Sequence, residues 1–186
     1  GIVDEKYKII KKDSCPTLAE RAAEEIIKDM AALCKRLCEE VGTDILSVGG
    51  VGIACPGTVN PDTGYVEYAN NIKFFDFPLV ELFSKYSGVE KSKITIGNDA
   101  NLAAYGEAVA GAAKGTSSSV TITLGTGVGS GVIIGGKMLT GCAHGGAEIG
   151  HTVIVKDGRP CTCGRHGCWN CCRRWRRRTC SPLSVR

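Results

Sequence analysis

The sequence lacks a run of about 18 apolar residues, and it has no positively charged segment followed by a short apolar one. The first absence argues against a membrane-spanning helix, and the second argues against a secretory signal peptide. We therefore expect a cytoplasmic protein with no membrane partner. Hydrophobic residues make up 43% of the 186 residues, as in a soluble globular protein with a sizeable core. This composition excludes disorder, a collagen helix or a coiled coil as a description of the whole chain.

Acidic residues are absent from the last segment, 171–186, which contains six arginines. The rest of the chain has 17 basic and 19 acidic residues, so the formal net charge of +4 arises entirely from this segment. The sequence therefore describes a mildly acidic body with a basic tail. Such a distribution is weak evidence for a nucleic-acid partner, because the location of charge matters more than its sum.

Eleven cysteines divide into two groups. Six lie between Cys161 and Cys180, where clustering in a cytosolic protein favours a metal site over disulfides. The other five stand singly among apolar or small residues, where a thiol usually acts as a small hydrophobe, and we expect them in the core: Cys15, Cys34, Cys38, Cys55 and Cys142.

Predicted strands and helices alternate along the chain, which indicates an α/β layered fold. Residues 1–12 predict a hairpin, and a capping-box spacing at 17–20 begins an apolar periodicity that predicts a helix ending at Gly42. The apolar run 45–54 predicts a strand buried on both faces. Further predictions are a turn at 62–64, helices at 78–86 and 100–114, a strand at 94–96, and a hairpin of strands 120–124 and 132–134.

Four glycines and two hydroxyl residues share the segment 125–131. Glycines let backbone N–H groups converge on a phosphate, but they also serve a tight hairpin, and the segment alone favours the two interpretations equally. It is neither a Walker motif, since no Gly-Lys-Ser/Thr follows, nor a dinucleotide fingerprint, since no helix follows. A phosphate site of another type remains an open alternative.

Asn98 and Asp99 stand where a buried strand ends and a helix begins. Both residue types are preferred helix N-caps, which is the more economical interpretation. A carboxylate at this position could also accept a proton from a substrate hydroxyl, and the two roles are compatible.

One imidazole and three thiols are spaced as in a closed tetrahedral zinc site: His151, Cys161, Cys163 and Cys168. Four protein ligands leave no coordination position for water, so we expect a structural ion. Glu148 lies three residues before His151 and could either face solvent or hydrogen-bond a polar substrate beside the rigid site.

Four segments together resemble the ROK family of bacterial sugar kinases and related repressors, in order and in spacing: GNDANLAA at 97–104, LGTGVGSGVI at 124–133, AEIGH at 147–151 and CTCGRHGC at 161–168. The resemblance covers residues 1 to about 169 and is greatest to bacterial glucokinases. It implies an actin-like, ribonuclease-H-like ATPase fold, and transfer of the γ-phosphate of ATP, with Mg²⁺, to the 6-hydroxyl of glucose. It also implies a small-molecule sugar partner and a homo-oligomeric full-length protein.

The resemblance also assigns roles to individual residues. It makes Asp99 the general base and a sugar contact, and it makes Thr126 and Gly127 part of a phosphate-binding loop. The four zinc ligands match the family pattern. The remaining positions that match sugar contacts are Gly57, Thr58, one of Asn70 or Asn71, Asn98, Glu148 and His151.

Three departures from the family pattern stand out. The first phosphate loop of the family would precede Gly1, Asn170 stands where the family has a sugar-binding Glu, and residues 170–186 have no family likeness. We therefore expect a kinase core at 1–169 followed by a tail read out of frame, and little activity from the chain itself. The alternatives are a kinase for another hexose, such as N-acetylmannosamine, and a sugar-responsive transcriptional regulator.

Overall fold

The computed structural model describes residues 1–69 and 72–171. The predicted N-terminal hairpin is present: β1 (Ile2–Val3) pairs antiparallel with β2 (Ile9–Lys11). Asp4 shapes the turn because its side chain accepts hydrogen bonds from the backbone N–H groups of Lys6 and Lys8. Helix α1 (Ala23–Glu40) follows.

Helix α1 ends as predicted but begins later than the capping-box spacing indicates. The prediction of a start at 17–20 is wrong, because Leu18 has a φ of +48°, which no α-helix accommodates, and the helix begins at Ala23 without a side-chain cap. At the other end Gly42 takes a φ of +74°, as a helix terminator does. The helix buries one face in the core: Ile26, Ile27, Ala31, Leu37 and Cys38.

Strand β3 (Val51–Cys55) pairs in parallel with β7 (Ile94–Asn98), with Cys55 opposite Asn98. The prediction of a strand over 45–54 buried on both faces is wrong in both extent and burial. Ile45–Ser47 forms a 3₁₀ turn, which the Asp44 side chain caps at the N–H of Leu46. In β3 burial alternates, with Ile53 and Cys55 buried and Gly52 and Ala54 exposed.

A three-stranded antiparallel sheet, not predicted as strands, lies between β3 and β7 in the chain. It consists of β4 (Thr58–Asn60), β5 (Tyr65–Ala69) and β6 (Phe74–Phe77), in that order. The predicted turn at 62–64 joins the first two strands. Helix α2 (Leu79–Ser87) confirms the helix predicted at 78–86 and packs against α1. These elements enclose one core, centred on Ile27, Val66, Phe74, Leu79 and Phe83.

Helix α3 (Asp99–Ala110) covers a second antiparallel sheet of β8 (Ser119–Leu124), β9 (Val128–Ile134) and β10 (Lys137–Met138). The hairpin is confirmed, but β9 begins four residues earlier than predicted, because Gly129 and Gly131 belong to the strand. A Cβ on Gly131 would lie 2.4 Å from the Cβ of Ala104 in α3. The glycine therefore permits the close approach of helix and sheet.

The expectation of five core thiols is correct for only part of the set. Cys38 and Cys55 are buried and Cys34 is half-buried, but Cys15 and Cys142 are exposed. The two exposed cysteines lie in connecting segments, and small or apolar neighbours there do not imply burial. Within the described part of the chain, no helix is long and apolar enough to cross a membrane.

Candidate active site and metal cluster

The carboxyl ends of β3 and β7 meet at one edge, because the two strands run parallel. Asn98 ends β7 and is the N-cap of α3: its Oδ1 accepts hydrogen bonds from the N–H groups of Ala100 at 3.0 Å and Asn101 at 3.1 Å. Its Nδ2 donates to the carbonyl of Gly57 at 3.0 Å and so joins the two strand ends. Asn98 thus fills the capping role that either residue could take.

Asp99 is the first residue of α3 and is exposed at the mouth of this edge. Among the described residues, its carboxylate accepts one hydrogen bond, from the adjacent N–H of Ala100 at 2.8 Å. The carboxylate therefore remains accessible to a ligand. The nearby thiol of Cys55 is affected by this charge. Burial is the main reason that the pKa of Cys55 is raised to about 12, and the negative charge of Asp99 raises it further. Cys55 is neutral at physiological pH and serves as a small core residue.

Gly57 is required where it stands. It has a φ of +92°, and a Cβ there would lie 2.0 Å from the carbonyl oxygen of Tyr68. A side chain would collide with the backbone of β5, so glycine lets the loop after β3 pass under this strand. The neighbouring Thr58 begins β4.

A cavity of about 750 Å³ opens over these strand ends. Eight residues singled out from the sequence line it together: Gly57, Thr58, Asn98, Asp99, Thr126, Gly127, Glu148 and His151. Glu148 is exposed within the lining and His151 is half-buried. Asn70 and Asn71, also predicted as sugar contacts, lie outside the described residues.

Two residues form hydrogen bonds that connect the segments lining the cavity, a role that the sequence analysis did not assign to them. Asn170 lines it, and its Oδ1 accepts a hydrogen bond from the N–H of Val128 at 2.9 Å, which fixes the turn between β8 and β9. Buried Ser130 accepts from the N–H of Ile149 at 3.0 Å and donates to the carbonyl of Ala147. These bonds position Glu148, which lies between Ala147 and Ile149. Such long-range partners carry no local signal in the sequence.

The glycine-rich segment 125–131 combines both interpretations that the sequence left open. Residues 125–127 form the hairpin turn, and Thr126 and Gly127 face the cavity. Gly129 and Gly131 lie in β9 against α3, where their role is packing. The turn is therefore the part of the segment that is free of this packing role and faces the cavity.

His151 and the three predicted cysteines come together behind the cavity. One ligand atom from each of His151, Cys161, Cys163 and Cys168 lies within 4.8 Å of the others. A hairpin-like loop achieves this, with bridges from Val153 to Cys168 and from Pro160 to His166. The other histidines nearby, His144 and His166, are outside the set.

Two distances between donor atoms are close to those expected around a tetrahedral zinc ion. Zinc bonds of about 2.3 Å to sulfur and 2.0–2.1 Å to nitrogen place two sulfurs about 3.8 Å apart, and a sulfur and a nitrogen about 3.6 Å apart. The Sγ atoms of Cys163 and Cys168 are 3.6 Å apart, and Sγ of Cys161 is 3.4 Å from Nδ1 of His151. His151 thus turns Nδ1 to the thiol of Cys161, and the residue also lines the cavity.

The thiols of the cluster differ in acidity. Burial opposes ionisation of Cys161, but hydrogen bonds from the backbone of Cys163 and from neighbouring side chains outweigh it and lower the pKa of Cys161 to about 5. Burial, reinforced by the neighbouring thiols, raises the pKa of Cys168 to about 12. Ionisation is therefore easier at Cys161 than at Cys168. A cation bound by all three sulfurs displaces the remaining thiol protons.

Comparison with known proteins identifies the family of the chain. Residues 1–172 match the ROK family. The chain belongs to the ROK family. Glucokinases from Halalkalibacterium halodurans and Thermotoga maritima are 40% and 36% identical to it, over 86% and 90% of this chain. The matched regions are 48% and 51% of those proteins, so the chain spans about half the length of the curated relatives it matches.

The structure of a ROK family glucokinase from Streptomyces griseus in complex with glucose and AMPPNP superimposes with a TM-score of 0.78 at 37% identity. The superposition covers 91% of this chain and 51% of that one. This confirms the actin-like ATPase fold expected from the motifs, as part of a larger ROK architecture. Repressors also occur among the relatives: the xylose repressor of Bacillus subtilis is 36% identical over 64% of this chain and 30% of its own length.

Proposed function

We propose that this chain is part of an ATP-dependent sugar kinase that phosphorylates the 6-hydroxyl of glucose. The observation that carries the proposal is the convergence of Asp99, Glu148 and His151 with the turn Thr126–Gly127 on one cavity. A hydroxyl acceptor needs a base, and the phosphoryl donor needs backbone N–H groups, and the cavity offers both at adjacent walls. The similarity to glucokinases at 36–40% identity supports glucose as the acceptor.

Each residue has a distinct task in this proposal. Asp99 accepts the proton of the attacking hydroxyl, for which its exposed carboxylate is suited. Glu148 accepts hydrogen bonds from sugar hydroxyls, and His151, whose Nδ1 faces the thiols, donates from Nε2. Asn98 has one Nδ2 hydrogen left for the sugar, because its other groups cap α3 and bind Gly57. Gly57 and Thr58 line the rim, and one of Asn70 or Asn71, which lie outside the described residues, is proposed as a further sugar contact.

ATP and its Mg²⁺ are assigned to the turn side of the cavity. The backbone of Thr126 and Gly127 and the Thr126 hydroxyl supply donors for phosphate oxygens. Bound Mg²⁺ neutralises charge on the transferring phosphoryl group.

We assign zinc to the cluster of His151, Cys161, Cys163 and Cys168 as a structural ion. The donor set and its spacing support zinc over harder cations, which prefer oxygen ligands. Through His151 the ion stabilises the wall of the sugar site.

The test measures sugar binding by the chain itself, since it spans about half the length of its relatives. Calorimetric titration with glucose, N-acetylmannosamine, fructose and allose is expected to rank glucose first. Glu148→Gln should weaken binding about tenfold, because a charged hydrogen bond to the sugar is lost. Glu5→Gln, which changes an exposed carboxylate in the β1–β2 turn, should leave binding unchanged.

Two results would count against the proposal. Tighter binding of another hexose would mean that this hexose, and not glucose, is the substrate. No hexose binding, or binding that Glu148→Gln does not weaken, would mean that the cavity is not a sugar site. We expect little kinase activity from the 186-residue chain alone, and measurable glucose-dependent ADP release would contradict that expectation.

A sugar-responsive transcriptional regulator is the second candidate, supported by the similarity to the xylose repressor. Its DNA contact would be the basic tail, of which residues 172–186 lie outside the described residues. A salt-dependent gel shift that vanishes on deletion of residues 171–186 would favour this candidate.

The kinase proposal also implies a cellular location, a metabolic role and an oligomeric state. We propose a cytoplasmic enzyme that acts in glycolysis as a homo-oligomer in its full-length form. We also propose that the core ends near residue 169 and that the tail is read out of frame. Translation of the coding DNA in the other two frames should then recover a glutamate followed by a helical continuation.

A further inference from the structure

Two aromatic side chains are exposed beside the rim of the cavity. Tyr68 in β5 and Phe75 in β6 are cross-strand neighbours, and they are 46% and 63% exposed. Their ring centroids are 5.2 Å apart and their planes meet at 78°, so one ring presents its edge to the other. Together the two rings form an apolar surface that the fold leaves uncovered, and we call this pair the aromatic corner.

The aromatic corner continues the wall of the cavity. Thr58, which lines the cavity, is paired with Tyr68, and Tyr68 is paired with Phe75, so the three side chains share one face of their sheet. Gly57, another lining residue, lies against β5, since a Cβ on it would be 2.0 Å from the carbonyl oxygen of Tyr68. Neighbouring strands are about 5 Å apart. A ligand that extends out of the cavity past Thr58 therefore meets Tyr68 first and Phe75 next.

The backbone around β6 turns Phe75 outward. Lys73 and Asp76 have φ values of +51° and +45°, in the left-handed region that residues with a side chain rarely adopt. Phe74 is buried, and its ring stacks on that of Phe77 with the centroids 4.2 Å apart. Phe75 is therefore the phenylalanine of this strand that takes no part in the interior stack. Strained backbone of this kind is found preferentially at functional sites, which favours a ligand contact for Phe75.

The chemistry of a sugar ring fits this surface. One face of a pyranose ring consists largely of C–H groups and stacks on an aromatic ring, while its hydroxyl groups lie at the ring edge, where a phenolic group can bond to them. A protein partner fits less well. Two aromatic side chains offer roughly 300–500 Å², and a stable protein interface needs about 800 Å² from each partner.

We propose that the aromatic corner is a second sugar subsite, which holds a pyranose ring linked to the glucose unit in the cavity. Two rings joined through one glycosidic oxygen are about one strand spacing apart, which is the separation between Thr58 and Tyr68. The proposal rests on the sugar site proposed above, and it extends the substrate class from glucose to glucosides of two rings.

The two subsites have separate tasks in this proposal. Asp99 and Glu148 act on the ring in the cavity, and the aromatic corner adds apolar contact only to a ligand that reaches past Thr58. The 6-hydroxyl of the ring in the cavity must stay free to receive the phosphoryl group, so the second ring is attached through another hydroxyl. Cellobiose and maltose meet this condition.

Calorimetric titration of the 186-residue chain with glucose, cellobiose and maltose tests the proposal. We expect at least one disaccharide to bind several-fold more tightly than glucose. Phe75→Leu keeps an apolar side chain but removes the flat ring, so it should lower the affinity for the disaccharide to that for glucose. Tyr68→Ala should act in the same direction. Both variants should keep the parent affinity for glucose, which shows in the same titration that the cavity is intact.

Tyr7→Ala is the matched control, because Tyr7 is 56% exposed and lies in the β1–β2 turn. It should leave all three affinities unchanged. Disaccharides that bind no more tightly than glucose, or a preference that survives both substitutions, would overturn the second subsite alone. Loss of glucose affinity in both variants would mean that the two rings support the cavity wall, and this too would overturn it. Absence of binding by all three sugars would instead refute the sugar site on which the proposal rests.

Discussion

Asn98 and Asp99 are adjacent, yet their side chains have different structural roles. Asn98 uses both ends of its amide to cap α3 and to bind the loop after β3, whereas Asp99 hydrogen-bonds only to the neighbouring N–H of Ala100 within the part of the chain that the structure describes. We expect Asn98→Ala to cost about 1–2 kcal/mol of unfolding free energy, through loss of the cap and the Gly57 bond. Asp99→Asn should cost about 0.5 kcal/mol, the value of a charge at a helix N-terminus. Denaturant unfolding of both variants measures the difference.

The pair also provides its own control. Both substitutions change polar side chains that line the same cavity, so a general effect of altering the cavity would destabilise them equally. Equal losses of stability would mean that Asp99 supports the fold, and the argument that its carboxylate is reserved for a ligand would be wrong.

At the scale of elements, the packing of α3 on β9 depends on glycine. In Gly131→Ala the new Cβ would lie 2.4 Å from the Cβ of Ala104 and 2.9 Å from the carbonyl oxygen of Ala100. Helix and strand must separate to admit it, and overpacking of this kind costs about 1–3 kcal/mol. Thermal unfolding should show a lowered Tm for this variant.

Gly125→Ala is the matched substitution in the same glycine-rich segment. A Cβ there meets nothing within 4 Å, so the Tm should stay close to that of the parent chain. A large loss in Gly125→Ala, or none in Gly131→Ala, would show that the segment is constrained by its turn and not by the helix.

These elements also show what a sequence can and cannot predict. Periodicity located α2 and the end of α1, and motif spacing brought out the residues of the cavity, because both signals are local or repeated. The start of α1 was missed because a φ of +48° at Leu18 depends on its tertiary surroundings. The sequence identifies Asn170 only as a departure from the family pattern, since its bond to Val128 spans 42 residues. Contacts of that range leave no pattern along the chain.

For the whole molecule, the hydrophobic core and the proposed zinc site lie in separate parts of the fold. The main core joins α1, α2 and the strands from β3 to β7, and the cluster residues are outside it. Its four donors lie instead in the segment 149–171, which reaches the cavity through His151 and Asn170. We expect removal of zinc by a chelator to unfold this segment and to leave the core intact, because a structural ion contributes folding energy where its ligands lie.

Hydrogen exchange monitored by mass spectrometry tests this expectation. After chelation, protection should fall at the backbone amides of Cys161, Gly167 and Trp169, which donate within the cluster loop, and at Val128, which donates to Asn170. Amides of β3 and β7 should keep their protection, and added zinc should restore the rest. Loss of protection throughout α1 would mean that the ion supports the entire fold, and no change anywhere would mean that the four donors bind no ion. Selective loss would instead establish that the sugar site is held on one side by the core, through Asn98, and on the other by the metal, through His151.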